Sequence, residues 1–120
     1  MKKIDETTAI ALINTLAVNG NTMSYQAFAQ KLNITTSPII KTVTSFLEEL
    51  VIHDVNSQKL IRASVIVQKG DVAIPRQGFF AILHKLGRTK EELTGDLARQ
   101  WHTNECNQLK AVAKDNNELT

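Results

Sequence analysis

Residues 24–43, SYQAFAQKLNITTSPIIKTV, hold two helix starts separated by a short break. Ser24 has the hydroxyl of an N-cap, and Tyr25, Phe28, Ala29 and Leu32 follow on one helical face. Asn33 ends that helix after barely two turns. Ser37-Pro38 repeats the signal, a hydroxyl cap followed by proline at the first helical position. The helix it opens, 38–50, expects a buried face of Ile39, Val43, Phe46, Leu47 and Leu50. Lys41, Thr42, Thr44, Ser45, Glu48 and Glu49 make its other face. Two short helices around a tight turn, the second showing hydroxyls and a lysine, read as a helix-turn-helix.

Working outward, residues 6–18 place Ile10, Ile13, Leu16 and Ala17 at helical spacing, stopped by Asn19-Gly20-Asn21. On the other side the period changes. From Leu60, LIRASVIVQ opposes Ile61, Ala63, Val65 and Val67 to Arg62, Ser64, Ile66 and Gln68, the pattern of a strand. Lys69-Gly70-Asp71 reads as a turn, and Val72–Ile74 as a return strand closed by Pro75. Gly78-Phe79-Phe80 opens a fourth helix to Leu86, with Gly87 as its stop. Thr89 and Glu92 have capping-box spacing. A final helix, interrupted or restarted near Thr94-Gly95, carries Leu97, Trp101, Leu109 and Val112. Three helices followed by a hairpin predict an α+β, mainly α fold: a winged helix-turn-helix over 1–87 with the wing at 61–75. Residues 88–120 are expected as a C-terminal helical extension on the same domain.

The totals agree with one globular unit. The 120 residues are 42% hydrophobic and 22% charged, enough for a core and too apolar for wholesale disorder. No apolar run approaches the ~18–20 residues of a membrane span. The start, MKKIDETTAIALINTL, lacks the features of a signal peptide, which points to a cytoplasmic protein. One cysteine, Cys106, excludes an internal disulfide framework. Fourteen basic and twelve acidic residues give a net charge of +2, compatible with nucleic-acid binding without announcing it.

Thr22 to Phe80 resembles the DNA-binding winged-helix domain of alkylguanine-DNA alkyltransferases and alkyltransferase-like proteins. Ser24-Tyr25-Gln26, Phe28-Ala29 and Leu32 match that family's Thr-Tyr-Gly-x-apolar-Ala-x-x-apolar helix. Lys41-Thr42-Val43-Thr44 stands at its Arg-Ala-Val-Gly recognition segment, and Ser64 to Gln68 at its Pro-Cys-His-Arg strand. Residues 62–68 contain no cysteine, histidine or proline, and a lysine replaces the arginine finger, so alkyl transfer is not expected. Residues 60–87 also resemble small bacterial and phage winged-helix proteins with an Ala-Leu-Val-Val-Asn-Lys, Gly, Pro-Gly-x-Gly-Phe wing and a Trp-containing C-terminal helix. Ala63 to Lys69, Asp71, Pro75 to Phe80 and Trp101 carry that likeness, which implies no activity.

The candidate DNA contacts follow. Lys41 can reach a phosphate or a guanine edge, and Thr42, Thr44 and Ser45 can donate to phosphates or bases. Ser37 marks a helix N-terminus, where free N–H groups attract anions. Lys69 at the wing tip, with Arg62 and Arg76 nearby, could straddle the backbone. The resemblance implies a phosphate contact for the Tyr25 hydroxyl; its alternative is packing against the turn. A merely solvated surface is the alternative for the helix face and for the wing tip, and Glu48-Glu49 opposes DNA. His102 and Cys106 share a helical face, but two ligands do not make a metal site, and a buried cysteine is the simpler reading. No phosphate loop or nucleophile is in evidence, so neither an enzyme nor a cofactor is expected. The expected partner is duplex DNA. The alternative is a protein-interaction module, an adaptor or inhibitor of a nucleic-acid enzyme or defence system. A further protein contact or self-association is expected of the C-terminal helix around Trp101.

Overall fold

The computed structural model describes residues 4–35 and 38–116, with side chains to Ala113. The order is α1 (Glu6–Asn19), β1 (Met23–Ser24), α2 (Tyr25–Lys31), α3 (Ile39–Asn56), a 3-10 turn (Arg62–Val65), β2 (Ile66–Val67), α4 (Gln77–Lys85) and α5 (Gly95–Asn116). The fold is mainly helical with a small two-stranded sheet. Among the described residues no helix is long and apolar enough to cross a membrane.

Local signals set most boundaries. Asp5 caps α1, its carboxylate accepting the Thr7 and Thr8 N–H groups, and Gly20 closes the helix at φ 72°. A β-carbon on Gly20 would come 3.0 Å from Lys110 Cδ, so the end of α1 lies hard against α5. The Ser24 hydroxyl accepts the Ala27 N–H at 3.1 Å, capping α2 as expected. Asn33 ends the turn after α2 in the left-handed conformation (φ 56°), which brings Ile34 back into the core. The Ser37 cap lies outside the described residues. Pro38 occupies the position before α3, and its carbonyl accepts both the N–H and the hydroxyl of Thr42.

The core is continuous. Ile13 of α1, Phe28 of α2, Val43 and Val51 of α3, Phe80 and Leu83 of α4 and Leu109 of α5 are fully enclosed. Ile61, Val65 and Ile66 lie among them, which overturns the reading of 60–68 as a two-faced strand. Ala63 to Val67 are buried without a gap, so this segment has no solvent side. The expected hairpin over 61–75 is not formed. Ile66–Val67 instead pairs in parallel with Met23–Ser24, the only strand–strand pairing among the described residues. Parallel strands require a crossover, and α2 with α3 supplies it. Val72–Ile74 lies in an irregular loop held by Gln68 N–H donating to the Ile74 carbonyl at 2.9 Å. The capping box is also replaced. Thr89 donates to the Glu91 carbonyl, Glu92 accepts from Gln77, and α5 begins at Gly95.

The buried 3-10 turn is held by side chains. Asp54, completely enclosed, accepts the Arg62 N–H at 3.0 Å and its guanidinium Nη2 at 2.8 Å. Glu105 accepts the Ile61 N–H at 2.7 Å, and His102 Nε2 donates to the Ser64 carbonyl at 2.8 Å. Two helices, α3 and α5, therefore grip one turn. The buried stripe of α5 is Ala98, His102, Glu105, Leu109 and Ala113; of the expected Leu97, Trp101, Leu109 and Val112, Leu109 is buried and Trp101 packs against the core, while Leu97 and Val112 are exposed. Leu97 is 53% exposed, whereas Trp101 lies edge-on to Phe79 and Phe80.

Asp54→Ala leaves the Arg62 guanidinium and N–H without their acceptor. It is expected to cost ~3–5 kcal/mol in urea unfolding, the range for breaking a buried ion pair by removing one partner. A cost under ~1 kcal/mol would show that the turn is held by apolar contacts alone.

Candidate nucleic-acid interface

Helical spacing sets one stripe of α3 outside the core. Lys41 and Ser45 are four residues apart, Phe46 and Glu49 three, and Glu49 and His53 four. Val43, Leu47, Leu50, Val51 and Asp54 face inward. Lys41, Thr42 and Ser45 line a cavity of about 480 Å³ between the start of α3 and Ile4 and Glu6 at the start of α1. Lys41 and Ser45 are exposed and Thr42 is half-buried.

The other expected contacts divide. Thr44 and Arg76 border a smaller cavity of about 190 Å³ with Tyr25 and Glu48. The Tyr25 ring is buried and its hydroxyl accepts the Arg76 N–H at 2.9 Å, so it positions the loop before α4. Burial raises the Tyr25 phenol above its usual value of 10.0 and keeps it protonated. The Arg76 guanidinium lies 5.9 Å from the centre of that ring. Thr44 donates its hydroxyl to the Lys41 carbonyl. Lys69 is exposed on the loop in place of the wing and lines neither cavity. Ser37 lies outside the described residues.

Glu6, His53 and Lys59 of this surface escaped the sequence reading, whereas Arg62 was expected beside the wing. A cavity of about 570 Å³ adjoins the first and shares Glu6, Phe46 and Glu49 with it, adding His53, Lys59 and Arg62. Phe46, expected on the buried face of α3, is half-buried: it packs against the core and also borders both cavities. The buried polar groups left a signal that was passed over. Asp54 continues the apolar stripe of Val43, Leu47, Leu50 and Val51, a place where a carboxylate needs a buried partner.

His102 Nε2 lies 3.4 Å from Cys106 Sγ. Among the described residues no group of three His, Cys, Asp or Glu could hold a metal ion. Burial, and then the Glu105 carboxylate, push the Cys106 thiol up to about 11. At neutral pH it is a protonated thiol and a poor nucleophile. Comparison with protein-family models, with curated proteins and with solved structures finds no match.

Burial lowers the His102 pKa below 6.5, against the raising effect of its bond to Ser64. The unfolded chain then binds a proton that the folded chain does not. This makes stability rise with pH from the depressed folded value up to about 6.5 and level off above it. Burial raises Glu105 above 4.5, and its contribution runs the other way, lost as pH rises through its folded value. His102→Gln isolates the first effect. The urea midpoint of the parent should fall more steeply below pH 6.5 than that of the variant; equal slopes would contradict the assignment.

Proposed function

We propose that the protein binds duplex DNA through the exposed N-terminal half of α3, in the manner of a helix-turn-helix reading head. The observation that carries this reading is the meeting of Lys41, Thr42 and Ser45 on one wall of the groove beside α1. Lys41 supplies a cation for phosphate, and Ser45 an exposed hydroxyl that can donate to phosphate or to a base edge. Arg76, on the other side of α3, adds a second cation. The resemblance of Lys41–Thr44 to a recognition segment supports the same face. In this reading the winged-helix plan is kept in its α2–α3 pair, while the wing's role is confined to Lys69 on an irregular loop. With so few cations within reach, affinity is modest and salt-sensitive, each phosphate contact adding a slope of about −0.9 in log K against log salt. The reading assigns no catalysis.

A second reading, a protein-interaction module, is favoured by one observation. Ile39, Ile40 and Ile52 are 37–40% exposed on the same helix, an apolar surface that DNA would not use.

The double substitution Lys41→Glu with Thr42→Glu separates the two. Lys41 is exposed and Thr42 is half-buried beside the open groove, so the far-UV spectrum should be unchanged and the stability cost small. Duplex binding at low salt should be abolished, and Lys69→Glu should weaken it less and equally for all sequences. No duplex binding by the parent protein at low salt, or binding insensitive to salt, would overturn the duplex reading.

A further inference from the structure

The two cavities beside α3 form one groove, and its middle is unlike its ends. Phe46, Glu49 and Glu6 border both cavities. Lys41 stands toward one end, and Lys59 and Arg62 line the other. From Lys41 to His53 the groove follows α3 for about 18 Å at the helical rise per residue. Half-buried Phe46 packs against the core and borders both cavities, with Glu49 three residues further along α3. An aromatic face between cations is the arrangement that holds a single nucleic-acid strand: a base stacks on the ring, and the phosphates on either side meet the cations. At that end the Arg62 side chain is 17% exposed and its charge is met by the buried Asp54, which leaves Lys59 as the cation that can meet a phosphate there.

The carboxylates select the base. A carboxylate only accepts hydrogen bonds. Guanine presents two adjacent donors, N1–H and the N2 amine, to one carboxylate. Adenine and cytosine present one amine beside an acceptor that the carboxylate repels, and thymine one N–H between two acceptors. We propose that the groove between α1 and α3 binds an unpaired guanine within a single strand, stacked on Phe46 and bonded to Glu49, with its flanking phosphates at Lys41 and Lys59. This deepens the reading of α3 as a nucleic-acid face and rests on it for Lys41. Cations at both ends favour a strand over a free nucleotide.

The test uses labelled oligothymidine with one central guanine, hypoxanthine or thymine, measured by anisotropy at low salt. Guanine should bind about tenfold tighter than hypoxanthine, which lacks the N2 amine and so one bond to a charged acceptor. Phe46→Leu keeps an apolar side chain against the core and removes the stacking face; it should weaken the guanine strand about tenfold. Glu49→Gln, an exposed change that leaves folding intact, should erase the guanine preference. Equal binding of the three strands, an unaltered preference in Glu49→Gln, or free guanosine monophosphate binding as tightly as the strand would overturn the proposal. Duplex binding lost in the Lys41/Thr42 double variant but untouched by Phe46→Leu, with no guanine preference, overturns the groove alone. Guanine-selective strand binding without duplex binding supports the groove and removes only the duplex form of the earlier reading.

Discussion

The main chain at Ile61–Ser64 lies inside the protein, and three of its polar groups are met by side chains. Asp54 from α3 and Glu105 and His102 from α5 take the Arg62 and Ile61 N–H groups and the Ser64 carbonyl. A buried amide left without a partner costs about as much as a lost hydrogen bond. These three residues therefore fix where the turn lies, and the turn fixes the helices that grip it. The same arrangement sends the chain directly into β2, where Ile66–Val67 meets Met23–Ser24 in parallel and ties the start of α2 to the far end of α3. With the inner stripe of α3 committed to the core and to Asp54, its stripe from Lys41 to His53 is left to border the groove against α1.

The helices were legible because their signals are local. Ser24, Asn33, Gly20 and Gly87 act within a turn of where they stand, and the boundaries of α1, α2 and α4 fall close to those the sequence implies. Residues 60–75 were not legible, for a physical reason. β-Branched residues at alternate positions satisfy a strand pattern whether or not the residues between them face solvent. Here Arg62 and Ser64 were read as a polar face, whereas Ser64 is fully enclosed and Arg62 is turned onto a buried aspartate. What decides between strand and turn is the set of partners from residues 54, 102 and 105, distant in sequence. The inward side of α5 was half legible: Leu109 and Trp101 meet the core as spacing implies, while His102 and Glu105 are buried only because a polar turn faces them.

The candidate surface was half legible. Lys41, Thr42 and Ser45 could be placed on one face of α3 from spacing alone, and they line one cavity. The opposite wall comes from Ile4, Glu6 and Ile10 of the N-terminal segment and the far end from Lys59 and Arg62, which no local pattern connects to α3. Tyr25 follows the packing alternative that the sequence left open: its ring is buried and its hydroxyl accepts the Arg76 N–H. Sequence spacing reports faces, whereas grooves are made by elements far apart along the chain.

Native-state hydrogen exchange tests the grip on the turn most directly. The Ile61 and Arg62 amides precede or begin a four-residue turn and donate to carboxylates instead of a backbone ladder. If Asp54 and Glu105 hold the turn as described, both amides exchange only through global unfolding, alongside those of Val51 and Leu109 in the core. Exchange of these two amides at the rate of the exposed loop around Val72 would contradict the account.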